Sequence, residues 1–289
     1  MSELRESILS LGIPHEETAI AVHGVLGADS ALLAHAGDLP KFSAEFPGWI
    51  KSTVLNSENP LFEIYANAVT DALGEPPETG IEELLRLLLV RPRTEPELAR
   101  ITRRKELDDD LERLTAAGLV RLDPNPLQPE RPFLTLVSRP VRFYYGVMER
   151  YLPQWRRGYL RDRLWAWNRA RFRRYTCRPE FTALAREWAL GDPRTETTTR
   201  ILVPDPEYRQ MRTLELAAWD AEGGLVALGT IRWGLRMRER QLKRMRYIKR
   251  LLGDPPARLY CVASRVEQAI AADPDPDLFR VGPAHLLRR

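Results

Sequence analysis

The spacing of apolar residues changes character several times along the chain, and each change predicts an element. Residues 211–253 carry the clearest pattern. Leu214, Leu216 and Ala218 alternate with Thr213, Glu215 and Ala217, the period of two expected of a strand. Gly223 and Gly224 supply a turn. Residues 225–231 are then apolar apart from Gly229 and Thr230, which predicts a strand covered on both faces. From Leu235 the period lengthens. Leu242, Met245, Ile248, Leu251 and Leu252 fall at helical spacing, with Arg and Lys on the opposite face, and Gly253 before Pro255 and Pro256 stops the helix.

Residues 1–75 predict loosely punctuated helices, interrupted at Pro40, Pro47-Gly48 and Pro60. Residues 74–80, with Gly74, Pro76, Pro77 and Gly80, have linker composition. Beyond them, helices are expected at 81–90, 95–101 and 104–117, the last closed by Gly118. Strands at 119–122 and 133–137, separated by a Pro-rich turn, complete a helical trio with a two-stranded wing. The close formed by Leu111, Leu114, Ala117, Gly118, Leu119 and Val120 is typical of winged helix-turn-helix domains. Further strands are expected at 200–205, 258–263 and, at an edge, 278–281, with a helix at 266–272.

Composition adds limits. The longest apolar run falls far short of a membrane span, and the acidic N-terminus lacks the apolar core of a signal peptide. Cys177 and Cys261 make no disulfide framework, which points to a reducing, cytoplasmic setting. His15, His23, His35 and His285 have no metal-ligand spacing with them. Charge is unevenly placed. Residues 139–178 hold twelve arginines against Glu149 and Asp162, and residues 232–250 hold nine basic residues against Glu239, whereas the first eighty residues lean acidic. That asymmetry points to a polyanion or an acidic protein partner. In the first basic stretch, Trp155, Tyr159, Trp165, Trp167, Phe172 and Tyr175 interleave with arginines. Two readings stand: stacking on single strands, or a core face of Leu164, Trp167, Ala170 and Phe172 with arginines reaching outward.

Several segments resemble one family. Glu215, then Gly229, Trp233 and Gly234 ahead of a basic helix, sit in the frame h-E-V-D-V, turn, G-E-x-K-W-G. This frame resembles the C-terminal domain of archaeal-type AAA+ ATPases, whose core is restriction-endonuclease-like (PD-(D/E)XK). Phe181, Leu184, Arg186, Glu187 and Trp188 are similar to the family's F-E-x-L-C-R-E-W helix. Arg139, Pro140, Arg142, Phe143, Tyr144 and Tyr145 resemble its D-P-L-x-R-F-Y-Y connector, and Asn59-Pro60-Leu61-Phe62 the end of its helical lid. The resemblance implies three modules: a lid-like remnant (1–75), a winged helix (81–138) and a nuclease-like domain (139–289). The expected fold class is α/β, α+β overall.

The chemistry implied by that family is missing here. At the positions of its acids stand Thr182, Ala217 and Thr230, at its lysine Arg232, and Glu215 remains alone. A hard divalent cation needs a cluster of oxygen ligands, and Arg232 accepts no proton at working pH. None of Lys41, Lys51, Lys105, Lys243 and Lys249 lies in a phosphate-cradling G-x-x-x-x-G-K-[ST] loop. No catalysis, metal or cofactor is therefore expected. The expected function is non-catalytic binding of nucleic acid, DNA foremost, or regulation, in a chain related to AAA+ ATPases but without the P-loop region. The binding candidates are Arg103, Arg104 and Lys105 at the start of the third winged-helix helix and Arg236, Arg240, Lys243, Arg244 and Lys249 on the basic helix. The wing leaves two roles open, DNA contact or rigid spacer, since Asp108, Asp109 and Asp110 repel phosphate. The alternatives are a module that binds an intact ATPase paralogue or another acidic protein, and a metal-dependent nuclease with ligands moved to Glu187, Glu215 or Asp220.

Overall fold

A computed structural model describes residues 3–288; Met1, Ser2 and Arg289, at the outer ends of the first and third expected modules, lie outside the described residues. The fold mixes helix with a five-stranded sheet and a separate two-stranded one. The chain forms two compact units. One comprises residues 7–124 and 128–177, the other residues 178–288 with 3–6 and 125–127. Residues 139–177, expected in the third module, thus belong to the first unit. Aromatic packing is the reason: Phe143 meets Tyr65 edge-on at 5.3 Å, and Phe172 lies 5.2 Å from Phe46.

In the helical unit, Glu16–Leu26 is buried on every side from Thr18 onward, so no amphipathic stripe marks it. Helices Thr79–Val90, Glu95–Thr102 and Asp108–Ala116 precede strands β1 (Val120–Asp123) and β2 (Phe133–Leu136), which pair antiparallel. Leu84, Leu88, Leu98, Leu111, Leu114 and Leu134 form their common core. The third helix starts at Asp108, four residues later than its apolar spacing predicts. Three acids in the first turn complement the positive helix N-terminus, so Arg103, Arg104 and Lys105 fall in the preceding turn.

In the sheet unit the strand order is β3-β4-β5-β6-β7, with ranges Thr197–Asp205, Gln210–Trp219, Leu225–Met237, Arg258–Val266 and Leu278–Val281. The first three are antiparallel neighbours and the last two run parallel to β5. Helix Arg178–Ala189 packs Phe181 on Trp233 and Trp188 on Tyr260. The basic helix, Glu239–Leu251, buries Leu242, Met245 and Ile248 with Ala217, Leu228 and Cys261, each large side chain contributing about 1.5–3 kcal/mol.

That helix begins four residues later than expected. Residues 235–237 continue β5, so Arg236 sits on a strand and pairs in register with Arg265. Gly234, at φ 63°, lies within a shift of the β5–β6 register between Arg232 and Arg236; only a residue tolerant of positive φ lets the strand bulge there and go on. The helix then starts where the Gln241 amide oxygen accepts the Arg238 N–H (2.8 Å) and Glu267 accepts that of Glu239 (2.9 Å). The short helix near 266–272 is only Gln268–Ala271, because β6 runs on to Val266.

Candidate nucleic-acid interface

Glu215 is the anchor of the site. It lies on β4, and Leu216 pairs with Gly229 of β5. A side chain at Gly229 would bring its Cβ within 3.1 Å of the Leu216 Cβ and 3.4 Å of the Tyr260 Cβ, so the three central strands close tightly only with glycine there. The β4–β5 ladder ends at the Leu216–Gly229 pair, and the β3–β4 register shifts between Ala217 and Leu214, so Glu215 lies at a bulge where the alternation of faces is broken. On helix Arg178–Ala189, residues 178, 182 and 186 recur every four positions and share one stripe. Its two ends reach the anchor. Arg178 donates to the Glu215 carboxylate at 2.5 Å, and Arg186 Nε to the Glu215 carbonyl at 2.9 Å. Thr182 lies midway between them, half-buried.

Of the five expected positions, Glu215 and Arg232 lie near enough to act on each other electrostatically, whereas Ala217 is packed in the core with Leu242, Met245 and Ile248 of the basic helix. Positive charge dominates around Arg232, where Arg178, Arg240 and Arg244 face one carboxylate, Glu215. Ala217 is fully buried and Thr230 nearly so. Arg232 is half-buried, and desolvation lowers its guanidinium pKa from the ordinary value. The Glu215 charge opposes that shift, while the like charges of Arg178, Arg240 and Arg244 reinforce it. The Arg232 guanidinium has no hydrogen bond or ion pair among the described residues. Arg244 donates to the Thr213 carbonyl at 3.1 Å, which leaves its charge uncompensated.

Outward from this centre, Arg236, Arg240, Lys243 and Arg244 are exposed. Lys243 is 2.9 Å from Glu239 of the preceding turn, a surface pair of little strength. Lys249 corrects the expected face: its side chain is only 21% exposed and lies 3.8 Å from Asp254. Arg246 and Tyr247 are held by structural contacts. Arg246 reaches Asp273 through two 2.9 Å bonds and Asp275 at 3.0 Å. The Tyr247 hydroxyl donates to Asp205 at 3.0 Å, where Arg212 also donates at 2.7 Å. Burial alone would raise the Asp205 carboxyl, but Arg212, the Tyr208 amide and Tyr247 hold it below the usual carboxylate range.

The candidates in the helical unit are less available. Arg104 is ion-paired with Asp110, whereas Arg103 and Lys105 are exposed. Arg103 ends the second helix at φ 58°. In helix Arg161–Phe172 the buried set is Leu164, Trp165, Asn168 and Phe172. Trp167 and Ala170, expected in that core face, are exposed; Trp167 is 51% exposed, and its ring carries Arg163 at 4.8 Å. The Trp165/Trp167 ambiguity has a local cause, since adjacent residues of a helix lie about 100° apart and both are apolar.

The acids available for a displaced metal site are engaged elsewhere. Glu187 accepts the N–H groups of Leu4 and Arg5, both at 3.1 Å. Asp220 accepts the Gly224 N–H at 2.5 Å and closes the β4–β5 turn. Among the described residues no three His, Cys, Asp or Glu side chains come together as a metal-binding group. A separate cavity of about 260 Å³ is lined by Trp188, Asp192, Arg258, Tyr260 and Phe279 and includes none of the candidate residues. Among the described residues no helix is long and apolar enough to cross a membrane. No protein-family model, curated protein or solved structure matches the chain.

Proposed function

We propose that the chain is a non-catalytic nucleic-acid-binding protein. In this reading the sheet unit is a restriction-endonuclease-like core whose metal chemistry has been replaced by arginine, and residues 81–138 are a winged helix-turn-helix. The lid-like N-terminal helices and the order of modules then follow the C-terminal part of archaeal-type AAA+ ATPases. One observation carries the reading: Glu215, the one acid acting on Arg232 among the described residues, is held by Arg178, while the basic helix presents Arg240, Lys243 and Arg244 to solvent. Such a surface attracts a phosphate backbone and releases its counterions, but it offers neither metal ligands nor a proton acceptor.

An electrophoretic shift with single- and double-stranded DNA, with and without magnesium, tests this. Binding at low salt that weakens steeply as salt rises, with the DNA left intact, is the expected result. Magnesium-dependent cleavage abolished by Glu215→Ala would overturn it.

A second reading, as a module that docks another protein, is favoured by one observation in the helical unit. Tyr159 and Leu160 are 71% and 65% exposed, and Leu160 adopts φ 56°. A partner retained in stoichiometric amount during purification, lost on Tyr159→Ser with Leu160→Ser, would support it.

A further inference from the structure

The centre beside Glu215 holds more positive charge than its surroundings balance. Arg178, Arg240 and Arg244 all lie close enough to act on Arg232 electrostatically, and one carboxylate, Glu215, opposes the four. Arg178 already occupies that carboxylate. Arg232 rises from a central strand between buried Ile231 and buried Trp233, half-removed from water and without a hydrogen-bond partner among the described residues. A guanidinium carries five N–H donors and keeps its proton, so in a half-buried place it calls for acceptor oxygens. Water meets part of that need at the exposed edge. Neutralising the like charges of its neighbours requires an anion.

We infer that Arg232, with Arg178, Arg240 and Arg244, forms a binding site for one phosphate group, which in the complex is a single backbone phosphate of the nucleic acid. The inference rests on the nucleic-acid reading for the identity of the ligand, but not for the existence of the site. Phosphate fits on three counts. Its oxygens accept the forked donors of two or more arginines at once. Its charge offsets the excess left after the Arg178–Glu215 pair. Two of the donors are already fixed, Arg178 by Glu215 and Arg244 by the Thr213 carbonyl, which lowers the side-chain freedom lost on binding. Glu215 then acts as an internal competitor, holding Arg178 until a stronger anion arrives.

The experiment is a titration of the whole chain with inorganic phosphate at constant ionic strength, followed by calorimetry and thermal unfolding, alongside salt-dependent DNA binding. Wild-type protein is expected to bind phosphate and to unfold at a higher temperature in it than in chloride. Arg232→Gln should weaken phosphate at least about tenfold, the loss expected for one charge-assisted contact. Arg232→Lys, which keeps charge but loses the fork, should fall between. Glu215→Gln should bind phosphate more tightly, roughly tenfold, because Arg178 is released. That gain cannot arise from misfolding, so the inference stays testable even if Arg232→Gln does not fold.

Absence of phosphate binding, or affinity unchanged in both Arg232→Gln and Glu215→Gln, would overturn the site even if DNA binds. Phosphate binding that follows these variants while DNA fails to bind at low salt would keep the site and overturn the nucleic-acid reading.

Discussion

Residues 139–174 and 232–250 are both arginine-rich, yet their arginines do different work. In the first stretch several guanidinium groups are committed to the fold, while Arg157, Arg169 and Arg173 are exposed. Arg171 donates to the Gly146 carbonyl at 2.7 Å and the Tyr145 carbonyl at 3.0 Å, capping a π-helical turn at Tyr144–Met148. Arg156 holds Glu63 through two 2.9 Å bonds, Arg161 donates to Asn56 at 2.8 Å, and Arg142 is buried. In the second stretch Arg232, Arg236 and Arg240 have no acid partner among the described residues, and Arg244 meets only a neutral carbonyl. Charge counted along a sequence therefore says little about where a polyanion docks. What matters is which charges the fold leaves unbalanced.

Charge reversal in the second stretch should have the largest effect on DNA binding. Arg240→Glu, Lys243→Glu and Arg244→Glu together should weaken DNA binding by about two orders of magnitude at low salt. The slope of log affinity against log salt should flatten by roughly 2 to 2.7, three contacts at 0.7–0.9 each. Thermal stability should hardly move, because none of the three side chains is buried. An unchanged slope would remove this face from the interface.

The converse effect is expected in the first stretch. Arg171→Met should lower stability by about 2 kcal/mol through two lost bonds to carbonyls and the contact with the Tyr175 ring, whose centroid lies 5.2 Å away. DNA affinity should stay within about twofold, since that guanidinium faces backbone. Urea unfolding and the same shift assay separate the two results. A large loss of DNA affinity in a folded Arg171→Met protein would place the first stretch in the interface as well.

The contrast between these stretches was only partly legible in the sequence. Apolar periodicity located the five sheet strands and the hydrophobic seam Leu242, Met245 and Ile248, because burial of one face is what periodicity records. It misplaced the start of the basic helix. The bulge at Gly234 and the capping by Glu267 depend on partners about 30 residues away, and no local pattern carries them. The lid, winged-helix and nuclease-like expectations came from resemblance to a family rather than from periodicity. Pairing was the least legible. Nothing in the order of residues distinguishes Arg246, held by Asp273 and Asp275, from Arg240, which has no such partner.

That last difference can be read in acid. The Asp273 carboxyl lies below its usual range chiefly because Arg246 bonds to it, and Asp192 because Arg194 bonds to it. A depressed carboxyl contributes stability that is complete above its unfolded value, roughly 3.9, and is lost as pH falls through the lower folded value. Arg246→Gln should therefore move the acid-unfolding midpoint to higher pH, towards 4, whereas Arg240→Gln should leave it in place. Far-UV circular dichroism between pH 2 and 5 checks both. Equal shifts in the two variants would mean that Arg240 has an acid partner after all.

The smallest effect is expected at Lys249, and it tests how fine the distinction between balanced and unbalanced charge is. Helical spacing sets Lys249 on the basic face, yet its side chain is 21% exposed and near Asp254, in the turn that ends the helix. At 3.8 Å the pair is long, so its contribution to stability is a few tenths of a kcal/mol at most. The positive charge in the last turn complements the helix C-terminus by a comparable amount. Lys249→Ala should accordingly cost about 0.5 kcal/mol in urea unfolding and leave the salt slope of DNA binding unaltered, whereas Arg240→Ala should lower that slope by roughly 0.7 to 0.9 without loss of stability. If Lys249→Ala lowers the slope by as much as Arg240→Ala, proximity to Asp254 does not withdraw a charge from the interface. Position on the helix, rather than pairing, would then decide which basic residues meet the phosphate backbone.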